Sequence, residues 1–259
     1  MMKKIDVCCF AGAWPFHKID HCTVKDLQKI HQENGIDSGF VSSTQAIFYN
    51  DPYEAELDLQ KELAGTGYRH VMTINPTLPA WREDLRRGVH ELSIAAVRIH
   101  PGYHGYELSD ACINDLMAAL REYRLPLFLT SRMEDERITY LLQPRLVHWS
   151  EVGRFLEAYP DQPILLSNFR TNEIRAIGEI IRNHPQVLID SSGLKDGAFA
   201  LETVRDEYHL ADRLVFGSLA TVACFQSMLF AITMADASEA LKTRILTGEA
   251  MRERAGWPI

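Results

Sequence analysis

The sequence predicts a single (β/α)8 TIM barrel of the α/β class over all 259 residues. Three observations carry this. Eight short β-rich runs alternate with longer amphipathic stretches, at the roughly thirty-residue period of a barrel of about 250 residues. Several of the β-rich runs are near-continuous apolar segments, as in a parallel sheet covered by helices. No stretch rich in Pro, Ser and Gly interrupts the alternation. An open doubly wound sheet is the competing architecture, but no Gly-x-Gly-x-x-Gly follows any of the runs.

In order, the strands are expected at 5–10, 39–44, 69–75, 94–100, 125–131, 163–168, 187–191 and 214–218. The stretches TVKDLQKIHQEN, PAWREDLRRGVHEL and SDACINDLMAALREY between them carry helical periodicity. In the last, Ile113, Leu116, Met117 and Leu120 recur at three- and four-residue steps and form one stripe for burial. Ser109 stands where its N-cap belongs, and Asn34-Gly35 closes the first helix as a C-cap pair does. No repeat is visible beyond the β–α alternation itself.

A net charge of −8 and a pI near 5.7 argue against nucleic acid or an anionic membrane as partner. The opening MMKKIDVCCF has no signal-peptide pattern, and the longest apolar run is too short to span a bilayer. Cys8, Cys9, Cys22, Cys112 and Cys224 form no CxxC pair and are odd in number. Free thiols in a reducing cytoplasm are the expectation.

In such a barrel the chemistry sits where strands end and loops begin. After the first strand come Trp14 and Phe16, with His17 and His21 four apart. After the second come Gln45, Phe48 and Tyr49. The fourth runs into RIHPGYHGYEL, which brings Arg98, His100, Tyr103, His104 and Tyr106 to the mouth. The fifth runs into RMEDER with Arg132 and Glu134, the sixth offers Asn168 and Arg170, and the seventh ends on Asp190. By the two-residue period Arg98 and His100 share the inward face, and the acids of RMEDER are their expected partners. His17 and His21, a helical i,i+4 pair with no third ligand, read as surface histidines. His31, His90, His148, His184 and His209 read as structural or solvated. Terminal Trp257 is expected to be exposed.

The segments IDVCCFAGAWPF, TINPTLPAWREDLRRGVHEL, AAVRIHPGYHGYEL, VLIDSSG, RLVFGS and RILTGEAMRE together resemble the amidohydrolase-related ("amidohydrolase 2") branch of the amidohydrolase superfamily. That resemblance implies a metal-dependent hydrolase or decarboxylase barrel, often paired as a homodimer. The family's metal ligands do not carry over. Its opening Asp-x-His-x-His reads Asp6, Cys8, Phe10; its later histidines are matched by Thr130 and Asn168, and its aspartate by Leu219. The expectation is a site with no metal and no cofactor.

What remains is an arginine crescent, Arg98, Arg132 and Arg170, suited to a small anionic carboxylate. Tyr103, Tyr106, Asn168, Trp14 and Phe16 complete the expected binding residues. Metal-independent hydrolysis of a lactone or ester is open by analogy within the resembled family. His100 or His104 would act as base, Asp190 or Glu134 would assist, and arginines would hold the oxyanion. The alternative is a non-catalytic barrel that binds a metabolite or a protein.

Overall fold

A computed structural model describes residues 2–135, 137–138, 142–195 and 200–258. Eight parallel strands pair in chain order: β1 Ile5–Ala11, β2 Ser38–Ser43, β3 Arg69–Thr73, β4 Ala96–Ile99, β5 Leu127–Thr130, β6 Ile164–Ser167, β7 Val187–Asp190 and β8 Leu214–Val215. Each lies within or beside its expected run. β8 is shorter than expected, because from Phe216 onward the chain bonds back to β1. Val7 N donates to Phe216 O at 2.8 Å, Leu219 N donates to Cys8 O at 2.8 Å, and Cys9 bridges Ala220 in parallel. These bonds close the sheet into a barrel, and helices pack outside it.

The first helix, Val24–Glu33, starts with a capping box. Thr23 Oγ1 accepts from Asp26 N, and Asp26 Oδ2 accepts from Thr23 N, both at 3.1 Å. It ends at Asn34, and Gly35 takes the left-handed conformation at φ +68°, as its sequence implies. In the helix Ala111–Tyr123 the stripe Ile113, Leu116, Met117 and Leu120 is buried as the spacing requires. Its N-cap is Asp110 rather than Ser109. Ser109 Oγ instead reaches Glu107.

Register and alternation explain the barrel interior. Phe40, Val71, Ala96, Phe128, Leu165 and Leu188 face inward and form an apolar floor. Ala250, Met251 and Trp257 pack beneath that floor. Trp257 is therefore buried rather than exposed: its indole lies tilted against Phe128 with centroids 6.2 Å apart. Two residues further along each strand, the inward positions are Ser42, Thr73, Arg98, Thr130, Ser167 and Asp190. All six are buried, so a polar belt crosses the barrel above its apolar floor.

Candidate active site

Arg98 is fully buried in this belt. Its Nε donates to Ser42 Oγ at 2.9 Å and its Nη1 to Thr130 Oγ1 at 2.9 Å, with Cys8 Sγ at 3.7 Å. The guanidinium carbon lies 4.8 Å from the Phe10 centroid and 5.2 Å from that of Phe128. It is thus gripped by hydroxyls in its plane and by aromatic faces. The acids of RMEDER, expected as its partners, are not among them. The belt itself supplies the hydrogen bonds, because its side chains all face the barrel interior. Asp190, also fully buried, accepts from Ser192 Oγ, from Ser192 N at 2.9 Å and from Asn168 N at 3.3 Å. Burial, reinforced by the Asp190 carboxylate, pushes the Cys8 thiol well above the usual range, while Arg98 pulls the other way.

Above the belt the mouth is filled. Cys8, Phe10, Trp14, Ile47, Met133 and Leu219 form a buried apolar cluster. Trp14, Phe16, Phe48 and Tyr103 pack edge to face over it, with centroids 5.4 to 6.0 Å apart. His100 and His104 lie in this packing, their rings 6.0 Å apart. His104 Nε2 donates to Ile47 O at 3.0 Å. Neither nitrogen of His100, nor Nη2 of Arg98, has a hydrogen-bond partner among the described residues. Burial lowers the pKa of His104 to about 4 and that of His100 well below the ordinary value, so both imidazoles are neutral at pH 7. Tyr106, expected at the mouth, instead sits in the core between barrel and helices. Its loop is drawn down there by Arg145, whose Nη2 donates to the Tyr106 carbonyl at 2.6 Å.

An accessible cavity lies off-axis, on the rim after β5, β6 and β7. Its volume is about 370 Å³, and four cations line it: Arg132, Arg137, Arg170 and Lys195. Glu134, Asp135, Asn168 and Gly193 complete its walls. Asn168 takes φ +57°, and its Nδ2 donates to Arg132 O at 2.7 Å, tying the β5 and β6 loops together. At Gly193 a Cβ would stand 2.0 Å from the Phe169 carbonyl oxygen, so only glycine lets these loops meet. Arg132 grips Glu173 in bidentate fashion, and the same carboxylate accepts from Arg170 N at 2.8 Å. Asp135 takes Arg137 at 2.8 and 2.9 Å and lies 3.8 Å from Arg170. Glu134 lies 3.1 Å from His17 Nδ1.

A second cavity of about 320 Å³ adjoins the first through Arg132, Glu134 and Asp135. Its other walls are mainly apolar: Phe16, Tyr103, Ile138, Leu142, Pro144 and Leu146.

The structure therefore brings together Arg132, Arg170, Asn168 and Glu134, and places Phe16 and Tyr103 in the adjoining groove. Arg98, His100, Asp190 and Trp14 are buried beneath or within the aromatic packing, and His104 is half-buried beside them. The expected crescent is divided. Arg98 points along the barrel interior because it is inward on β4, whereas Arg132 and Arg170 lie beyond their strand ends. Sequence reasoning passed over Lys195 and Glu173. Lys195 follows the DSSG run by two residues, a rim position that could have been inspected. Glu173 at the third helical position after Arg170 is a capping-box spacing.

The donor set does not fit the divalent metal of the resembled family. Phe10 and Leu219 offer no ligand atom and lie in the apolar cluster. Cys8 is held as a thiol, Thr130 Oγ1 is engaged by Arg98, and the Asn168 amide is engaged by the Arg132 carbonyl. Among the described residues the one cluster with ligating potential is Asp6, Cys9 and His31, outside the barrel interior. It is a closed hydrogen-bond network: His31 Nε2 reaches Asp6 at 3.3 Å while its Nδ1 meets Tyr68 OH at 2.8 Å. Asp6 Oδ1 accepts from Cys8 N and Ser218 N.

No curated protein matches the chain in sequence. Among solved structures, an uncharacterised TIM-barrel protein of Bordetella bronchiseptica superposes with a TM-score of 0.72 at 14% identity, covering 98% of this chain and 99% of that one. A dihydroxybenzoic acid decarboxylase of Polaromonas sp. JS666, solved with bound manganese and the inhibitor 2-nitroresorcinol, gives 0.72 at 15% identity over 98% of each chain. A 2,6-dihydroxybenzoate decarboxylase of Rhizobium gives 0.70 at 13% identity, covering 97% of this chain and 98% of that one. The described helices include none long and apolar enough to cross a membrane. The amidohydrolase family model matches residues 30–252, most of the barrel, and the chain belongs to that family.

Proposed function

We propose that this chain binds a small carboxylate-bearing molecule at its rim, using fixed guanidinium and ammonium charges in place of a catalytic divalent metal. The observation that carries the reading is Arg98. Its guanidinium stands against Cys8 and Thr130, two positions where the resembled family places histidine ligands. A cation is thus built into the polypeptide beside Cys8, which Asp190 also influences, and the apolar cluster above it closes the axial route. The open site is the rim cavity with its four cations and adjoining apolar groove. A carboxylate with an apolar or aromatic body matches that pair of walls. One of the similar barrels was solved with 2,6-dihydroxybenzoate, a ligand of this class.

A hydrolytic reading has its own observation. Of the four candidate catalytic side chains, Glu134 alone lines the cavity, with His17 at 3.1 Å to orient it. Glu134 would take a proton from water attacking a lactone or activated ester, and the lining cations would stabilise the oxyanion. His100 and His104, neutral and closed under the aromatic cluster, would then hold the interior instead of serving as base. The competing non-catalytic barrel shares the binding site and lacks the turnover.

Three measurements test these readings. Calorimetric titration with Mn²⁺ and Zn²⁺ should show no stoichiometric site; one tight ion per chain would overturn the metal-independent reading. Thermal shift with mono- and dicarboxylates should raise the midpoint for some of them, and a flat panel would remove the carboxylate site. Where a lactone is turned over, Glu134→Gln should lower kcat by about a hundredfold or more, the usual contribution of a general base.

A further inference from the structure

The rim cavity holds four cations, but they are not equivalent. Arg132 is committed to Glu173 through two parallel hydrogen bonds. Arg137 is committed to Asp135 in the same way, and Arg170 lies beside that carboxylate at 3.8 Å. A guanidinium already paired with a carboxylate offers an incoming anion little net attraction. Lys195 differs. It is an exposed residue, and its ammonium has neither an ion-pair nor a hydrogen-bond partner among the described residues.

We propose that the Lys195 ammonium captures the carboxylate of a monocarboxylate ligand whose apolar body lies in the adjoining groove. This rests on the carboxylate-binding reading above and assigns its anchor and ligand class. Lys195 lines the cavity wall, where desolvation lowers its pKa from the ordinary lysine value; Cys8, Asp190 and Asp135 oppose that shift and Arg132 adds to it. An arriving carboxylate compensates the ammonium charge. The preference for a single carboxylate follows from the wall between the two cavities. That wall carries Glu134 and Asp135 as well as Arg132, so a second carboxylate on the ligand body would face two acids. An aryl or alkyl body meets Phe16, Tyr103, Leu142 and Leu146 instead.

The test is isothermal titration of benzoate and of isophthalate, its dicarboxylate counterpart, into the wild-type chain, Lys195→Met and Lys195→Arg. Wild type should bind benzoate and should bind isophthalate about tenfold or more weakly, since like charges across a binding site are strongly disfavoured. Lys195→Met should weaken benzoate about tenfold, the scale of one charge-assisted contact, while Lys195→Arg stays within about threefold of wild type. An unchanged unfolding midpoint in both variants is expected, because Lys195 is exposed. Benzoate bound equally by wild type and Lys195→Met, or isophthalate bound as tightly as benzoate, overturns the assignment and leaves the rim site standing. Absence of saturable benzoate binding by wild type overturns the assignment together with the carboxylate reading beneath it.

Discussion

The belt inside the barrel and the cavity on its rim both hold arginines and carboxylates, yet they are built in opposite ways. In the belt, Arg98 and Asp190 are fully buried and held by hydroxyls and backbone N–H groups, with aromatic rings closing the guanidinium faces. On the rim, Arg132, Arg137 and Arg170 are partly exposed and meet carboxylates directly. Loss of a buried partner leaves a charge with no solvent to turn to, whereas a rim pair exchanges its partner for water at small cost. The interior charges therefore bear on folding, whereas the rim pairs contribute little to it.

The sharpest way to break this comparison is Arg98→Met. It leaves the buried Ser42 and Thr130 hydroxyls without that partner, at about 1–3 kcal/mol each, so the expected loss is about 3–5 kcal/mol of unfolding free energy, measured by denaturant titration. A loss below about 1 kcal/mol would mean that the belt is solvated like the rim. Arg98→Lys should recover only part, since an ammonium cannot bridge Ser42 and Thr130 in one plane.

Next in size is a pH effect on the buried imidazoles. The folded-state pKa of His104, about 4, lies below its unfolded value, so the unfolded chain binds more protons between the two. Stability is then highest above the unfolded histidine pKa of about 6.5 and falls as pH drops toward 4, by up to about 3 kcal/mol from this residue. His100, shifted in the same direction, deepens the fall. His104→Gln should flatten the pH dependence of the unfolding midpoint; an identical slope in wild type and variant would contradict the burial argument.

The smallest effect belongs to the rim. Glu173→Gln loosens the bidentate grip on Arg132 at a cost of about 1 kcal/mol in stability. It should strengthen benzoate binding by a few-fold, because a second cation becomes available to the carboxylate. Weaker binding in this variant would show that Glu173 positions Arg132 for the ligand instead of competing with it.

Much of this was legible from local pattern. The eight β-rich runs, the stripe from Ile113 to Leu120 and the Asn34-Gly35 helix end depend on near neighbours, and all appear, with β8 shortened to two residues. The inward pairing of Arg98 with His100 also followed from strand alternation. Their partners did not follow, because Ser42 on β2 and Thr130 on β5 lie 56 and 32 residues away in the chain. Trp257 read as exposed because a terminal residue carries no periodicity; contact with Phe128 decides otherwise. His70, which no local motif marks, proves to be buried against Glu56 at 2.6 Å. Parts of RMEDER and of the segment after Lys195, Glu136 and residues 196–199, lie outside the described residues.

By itself, the order of residues determined the barrel, its strand positions and the misfit of the family's metal-ligand set. Each is a matter of side-chain type at a given strand position, which alternation and composition specify. Only the tertiary structure decided that Arg98 stands apart from Arg132 and Arg170, that aromatic side chains close the axis, and that Lys195 shares a cavity with the loops after β5 and β6. Those are distances between residues remote in sequence, set by closure of the sheet and loop packing above it.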